Sequence, residues 1–297
     1  MSRFKLYQEE FHPSPLQHTW LEFKENHLAV GGLCCFMFFL FIILLCPIFA
    51  PFDPLMQKTD AILIPPAWEA NGGIVNVFGT DALGRDLLSR VMYGCRMTFG
   101  ISIILVLVAM FVGVTLGAVA GMSRGVRSSV MNHILDSMMA IPTLLIAIII
   151  IAILGTGLIN SMWAIALALI PQFIHQTRDF VRQERKKEYV MAAKLDGATP
   201  FQLVTRSILP NMGEILVVQG ALALSISILD ISALGFLNLG AQAPSPELGT
   251  MLSEGIEVAY IAPWSIALPG GAIFLMMLSI NLVGDGLRSA LRSRLIH

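Results

Sequence analysis

Hydrophobic and polar positions along this chain fall into blocks. Apolar residues dominate six runs, at 29–50, 99–122, 134–154, 162–176, 215–237 and 264–283. A helix needs about 20 consecutive apolar residues to cross the hydrocarbon core of a bilayer. Backbone polar groups in lipid must be satisfied within the segment, so each run reads as an α-helix. The run at 162–176 is the shortest of these spans and carries Pro171. The pattern predicts an all-α integral membrane protein with six transmembrane helices. It divides the chain into a polar tail at 1–27, a first transmembrane helix at 28–50 and a polar segment at 51–98. A core of five more helices follows at 99–286, with a polar loop at 178–212, and a short tail at 287–297 closes the chain.

Charge gives the pattern a direction. With the N-terminus placed inside, the outer segments hold only Lys58, Arg85, Arg90 and Arg96 of the 19 Lys and Arg residues. That bias predicts an N-in, C-in protein, because basic residues collect on the cytoplasmic side. The loop at 178–212 is then cytoplasmic and the segment at 51–98 periplasmic. The first apolar run starts too far from the N-terminus for a cleavable signal peptide and is expected to be retained. Composition agrees with a multi-pass protein. Hydrophobic residues make up 56% of the chain and charged ones 13%, against roughly 25% charged in soluble domains. A net charge of −1 offers nothing to nucleic acid. Cys34, Cys35, Cys46 and Cys95 have neither metal-ligand nor disulfide-framework spacing.

The inner loop has its own grammar. Good helix formers run from Gln183 to Leu195. Gly197 then stands where a left-handed residue closes a helix. Thr199-Pro200-Phe201-Gln202 reads as a new start, with Thr199 as cap, Pro200 at the first position and Gln202 completing a capping box. Pro210 is expected to end this second helix. Ala192 and Ala193 leave a small-residue patch where another surface can approach, and Tyr189, Val190 and Leu195 offer apolar contact. The prediction is two short helices hinged at Gly197.

Glu188, Tyr189, Val190, Ala192, Ala193, Gly197, Ala198, Leu209, Pro210 and Asn211 resemble the cytoplasmic coupling loop of permease subunits in binding-protein-dependent ABC importers. Met191 and Ser207 depart from the general motif, where Glu and Ile are usual. The stretches IFAPFDP at 48–54, FGTDALGRDLLSRVMYG at 78–94 and ILDISALGFLNLGAQAPSPELGTML at 228–252 are similar to the C-type subunit of the dipeptide and oligopeptide branch. Asp230, Asn238 and Leu248 stand there in place of the usual Glu, Gly and Trp. The resemblance runs from about residue 28 to the C-terminus. It implies a peptide-import permease of the bacterial inner membrane, cationic antimicrobial peptides included in its cargo, with polyamine or haem-like cargo as alternatives. It implies as partners a second, B-type permease subunit, two ABC ATPase subunits, a periplasmic solute-binding protein and the lipid bilayer. ATP and magnesium would be bound by the ATPases, with no cofactor in this chain.

Chemistry within the chain is sparse. Gly79–Asp86 nearly spells a phosphate loop, but Asp86 puts negative charge where the magnesium-binding hydroxyl belongs. No ATPase site is expected; the stretch reads instead as a capped helix start with Arg85, Asp86 and Arg90 pairing locally. Ionisable residues inside spans are costly and default to functional candidates. Asp230, with Ser227 three residues earlier on the same helix face, is the candidate for the substrate path. The alternative is a helix–helix hydrogen bond. Glu247, Glu254 and Glu257 occur in an outer loop without Lys or Arg, a field that could concentrate cationic cargo. From another class, an ion-coupled secondary transporter would use Asp230 as its relay. A membrane-embedded protease would need a base for Ser225 or Ser227, and no His lies in the fifth or sixth run.

Overall fold

The structure is a computed structural model that describes residues 15–123 and 125–294. Its helices in chain order are α1 (Pro15–Glu25), α2 (His27–Phe49), α3 (Leu87–Met122), α4 (Val126–Met139), α5 (Thr143–Leu154), α6 (Leu158–Glu184) and α7 (Glu188–Leu195). Then come α8 (Pro200–Gln202), a π-turn at Leu203–Ile208 and a 3-10 turn at Leu209–Met212. They lead directly into α9 (Gly213–Phe236), followed by α10 (Leu248–Ile256) and α11 (Trp264–Arg294). No strand occurs among the described residues, and one isolated bridge joins Thr80 to Asp86. Five helices, α2, α3, α6, α9 with its lead-in, and α11, are long and apolar enough to cross a membrane.

The third predicted span is not one helix. Residues 134–154 cross a break, and α4 meets α5 at 89°. Pro142 causes it: it lacks a donor and holds Ile141 out of the helical region. Pro171 has no such effect, and α6 runs through it from Leu158 to Glu184, well beyond 162–176. α3 likewise starts at Leu87 rather than 99. Asp86 caps it, accepting from Ser89 N and Ser89 Oγ at 2.8 Å each and from Asn76 Nδ2 at 2.9 Å. In the tail at 1–27, residues 1–14 lie outside the described residues, and α1 docks through Phe23 against Ala29 and Ala290.

The close packing of α3 on α6 organises the bundle. Gly113, Gly117 and Gly121 recur every fourth residue, on one face of α3. A Cβ at these positions would lie 2.3 Å from Phe173 Cβ, 2.7 Å from Ile174 O and 2.7 Å from Val181 Cβ, respectively. Missing side chains let the two backbones approach closely, a common way for helices to associate in lipid. The pairing 113 with 173 and 121 with 181 makes α3 and α6 parallel, so their C-termini share one end of the molecule. α2 runs antiparallel to α11, with Gly32 against Leu282 and Ala29 against Gly286. Arg288 and Arg292 near the end of α11 line one pocket with Glu214 at the start of α9 and Gln176 of α6, so the start of α2 and the end of α11 lie at the same end as the loop after α6.

A buried ion cluster fastens the opposite end. Asp81 accepts from Arg85 Nε at 2.6 Å and from Arg90 Nη1; Glu254 of α10 accepts from Arg85 Nη2 at 2.7 Å and Arg90 Nη1 at 2.9 Å. The expected local pairing of Arg85, Asp86 and Arg90 is corrected here. The arginines reach across to α10, and Asp86 spends its oxygens on Asn76 and Ser89. Trp264 Nε1 donates to Thr80 O at 3.3 Å and ties the start of α11 to the same knot.

Replacing Gly117 by Val should destabilise the protein by about 1–3 kcal/mol or more, because overpacking meets backbone that cannot yield. Gly100 has nothing within 4 Å of a Cβ, so Gly100→Ala on the same helix should leave thermal unfolding in detergent unchanged. Equal melting of both variants would refute the close-packing argument.

Candidate functional site

The loop after α6 forms a jointed elbow over residues 188–212. α7 closes with both bonds of a Schellman turn: Ala198 N donates to Ala193 O at 3.1 Å and Gly197 N to Lys194 O at 3.2 Å. Gly197 takes φ +88°, a conformation that costs other residues because of their Cβ. Nothing lies within 4 Å of where a Cβ would sit, so backbone conformation alone selects glycine. The next helix opens with the expected capping box, in which Thr199 and Gln202 satisfy each other's backbone amides at 2.9 Å and 3.3 Å. Pro210, by contrast, does not end the helical path. The π-turn widens the backbone ahead of it, Leu209 N reaching Val204 O, and the 3-10 turn carries the chain on into α9. These turns relieve the clash a proline ring makes with a regular preceding turn.

The elbow is seated on the bundle through one apolar plug and one polar clasp. Val190 is buried with Val181, Leu203, Ile208 and Ala118. Tyr189 donates its hydroxyl to Glu184, a buried carboxylate at the end of α6, which also accepts from Lys187 Nζ at 2.9 Å. Asn211 Nδ2 donates to Tyr189 OH at 3.0 Å and to Ser207 O at 3.1 Å. Burial first, and then the bond to Glu184, push the Tyr189 phenol up, so it remains a neutral donor. Glu188, Ala192 and Pro210 face outward, Ala193, Ala198 and Leu209 are half-buried, and Leu195 is 88% and Phe201 77% exposed. Met191 is exposed beside them. An apolar, small-residue surface is thus presented on a framed joint. The buried Glu184 went unnoticed in the sequence; its spacing of five from Tyr189 signals the clasp only once α6 is known to continue to 184.

The polar face of α9 is inside the bundle. Ser227 is 0% and Asp230 4% exposed, and Thr143 Oγ1 at the start of α5 donates to Asp230 Oδ2 at 2.9 Å. The arrangement is the helix–helix bond foreseen as the alternative to path lining. The buried hydroxyls of Ser227 and Ser232 have no partner among the described residues. The acidic outer loop is corrected as well. Glu247 is buried as the cap of α10, bonding Thr250 N at 2.9 Å and Thr98 Oγ1 at 3.0 Å. Burial pushes its carboxyl up, against the pull of these bonds. Glu254 is neutralised by two arginines, which leaves Glu257 as the exposed carboxylate of the three.

Fold and elbow together define a helical multi-pass membrane protein that presents a jointed elbow outside its bundle. Residues 113–297 match the family described as the binding-protein-dependent transport system inner membrane component. Residues 14–66 match the N-terminal transmembrane domain of oligopeptide transport permease C. The chain belongs to this family of transport permeases. It is 44% identical over 286 residues to the peptide transport system permease protein SapC of Salmonella typhimurium, covering 96% of this chain and 97% of that one. It is 42% identical to SapC of Escherichia coli O6:H1 over the same shares. With the di/tripeptide transport system permease protein DppC of Pseudomonas aeruginosa it shares 43% identity over 284 residues, 96% of this chain and 94% of that one. In fold it is similar to a chain of the MetNI methionine ABC transporter in an inward-facing conformation, with TM-score 0.53 and 17% identity, over 69% of this chain and 95% of that one.

Tyr189→Phe removes the hydroxyl that bridges Glu184 and Asn211. The elbow should loosen by about 1 kcal/mol, raising hydrogen exchange across residues 185–212 while global melting stays unchanged. Unaltered exchange in the elbow would show that the clasp carries no stability.

Proposed function

We propose that this chain is one transmembrane half of an ABC peptide importer, moving peptides across the bacterial inner membrane with ATP hydrolysed on separate subunits. The observation that carries the reading is the elbow: a Schellman turn, a capping box and a clasp to α6 hold Ala192, Leu195 and Phe201 outward as a rigid joint. Such a surface suits a groove on a cytoplasmic ATPase. Closure of two ATPases around ATP and magnesium would push the joint, and α6 and α9 would carry the motion into the bundle. A second, B-type permease would complete the path, and a periplasmic binding protein would deliver cargo at the end fastened by the ion cluster.

Orientation follows from charge. Arg178, Arg182, Arg185, Lys186, Arg288 and Arg292 gather at the elbow end, where both described chain ends also lie. The positive-inside rule makes that end cytoplasmic. Peptide cargo is supported by relatives named as peptide, di/tripeptide and dipeptide permeases across nearly their full length. Among such cargo we include cationic antimicrobial peptides, although Glu247 and Glu254 are committed to internal bonds and supply little steering. Ser227 and Asp230 would meet cargo only when α5 draws away from α9.

The test is made at Gly197 in the assembled transporter. A β-branched side chain in the left-handed region costs about 1–2 kcal/mol, so Gly197→Val should cut ATP-coupled peptide uptake about tenfold. Gly197→Asn should keep most of it, since asparagine tolerates that conformation. Normal coupling by the valine variant would overturn the hinge, and uptake by the permeases without any ATPase would favour the ion-coupled alternative.

A further inference from the structure

Beside the elbow, between the last turns of α6 and the first turn of α4, lies a cleft of about 700 Å3. Arg178, Arg182, Arg185 and Lys186 form one wall, and Ser128, Ser129 and Asn132 the other. No acidic residue lines it. Two carboxylates of α6 are already engaged, Asp179 with Arg178 at 3.2 Å and Glu184 with Lys187 and Tyr189. Arg182 and Lys186 are exposed and reach no carboxylate among the described residues. Four cations in one concavity, two of them, Arg182 and Lys186, without a carboxylate partner among the described residues, concentrate anions.

The site is built and not merely charged. Arg178 is 2% exposed, its guanidinium fixed by Asn132 Oδ1 at 2.6 Å, Ser128 O at 3.2 Å and Ser128 Oγ at 3.3 Å. Its Nε is buried without an acceptor among the described residues. Leaving a buried donor unpaired is costly. Arg185 is held by the carbonyl oxygens of Gly121 at 3.1 Å and Met122 at 2.9 Å, at the C-terminus of α3. α4 opens at Gly125, φ +67°, with no side-chain cap. Its first amides thus lack a side-chain cap, and Gly125, Ser128 and Ser129 of that turn line the cleft.

We infer that this cleft binds a phosphate group. A tetrahedral anion with several oxygens can accept from two mobile cations, the Ser128 and Ser129 hydroxyls and helix amides at once, beside the fixed charge of Arg178. The cleft has room for more than a bare phosphate. It opens where the apolar length of α3 ends at Met122, the depth of lipid headgroups. Two sources share this chemistry, the headgroup of an anionic phospholipid and a soluble phosphate. Met191 of α7 lies on the lining, so an occupied cleft touches the elbow itself.

The experiment uses the assembled transporter in nanodiscs of phosphatidylcholine, with and without phosphatidylglycerol, and inorganic phosphate titrated into the phosphatidylcholine discs. Thermal unfolding and native mass spectrometry read out binding. The variant is Arg182→Gln with Lys186→Gln, both exposed and outside the internal bonds of the bundle; the control is Arg288→Gln with Arg292→Gln, away from the cleft. Phosphatidylglycerol should stabilise the wild type and be retained through purification, and the cleft variant should bind it about thirtyfold more weakly, with the control unchanged. Stabilisation by inorganic phosphate that the cleft variant loses supports the site with a soluble source. If neither probe stabilises the wild type, or if the cleft variant responds as the wild type or the control does, the inference fails. Such a failure leaves the coupling reading intact, because that reading is tested by uptake at Gly197.

Discussion

Three glycines on one face of α3 set the distance to α6, and the elbow is mounted on that contact. Between lipid-facing helices there is no hydrophobic gain from association, so close backbone packing has to supply the adhesion. Gly121 meets Val181, and Val181 is in turn part of the apolar plug around Val190. The packing of two spans and the seating of the external joint are therefore one continuous structure. A loop attached to a loosely packed helix would absorb a push. On the proposed coupling, the same loop fixed to a helix pair in backbone contact would pass it on.

Much of the architecture was legible because bilayer thickness disciplines the sequence. The apolar runs marked the long helices, and the capped start read at Gly79–Asp86 is where α3 begins, with Asp86 as its cap. Boundaries went astray where polar residues continue a helix past the hydrocarbon, as at both ends of α6. Proline was the least readable signal. Pro142 breaks a span, Pro171 is absorbed inside α6 and Pro210 is passed through by a π-turn and a 3-10 turn. The residue is the same each time; the difference lies in whether neighbouring turns can relax, which depends on packing.

The elbow could be read at residue level since its bonds are local. Gly197, Thr199 and Gln202 satisfy partners within five positions. The charged residues of the outer end could not be assigned in the same way. Arg90 and Glu254 are 164 positions apart, and an acidic loop that looked solvated turned out to be folded against arginines from another segment. Asp230 was picked out by its cost in an apolar span, but its partner Thr143 belongs to a helix whose start is created by the break at Pro142. The glycine stripe was present in the sequence as G-x-x-x-G-x-x-x-G from 113 to 121. It gains meaning only with the facing residues of α6 in place.

The bent pair α4–α5 is where motion from the elbow would be spent. α5 starts at Pro142 without a side-chain cap, and a carboxylate near a helix N-terminus offsets its exposed amides and dipole. Asp230, bonded to Thr143 in the first turn of α5, provides that charge from α9. On the proposed coupling, a displacement that enters α9 from the elbow therefore acts on the joint between α4 and α5, where the helix is already interrupted. α3 and α6 are locked in contact, while α5 is tied to α9 by a bond that movement can exchange. On that proposal, the seam between α5 and α9, bridged by Thr143 and Asp230, is where the path would open.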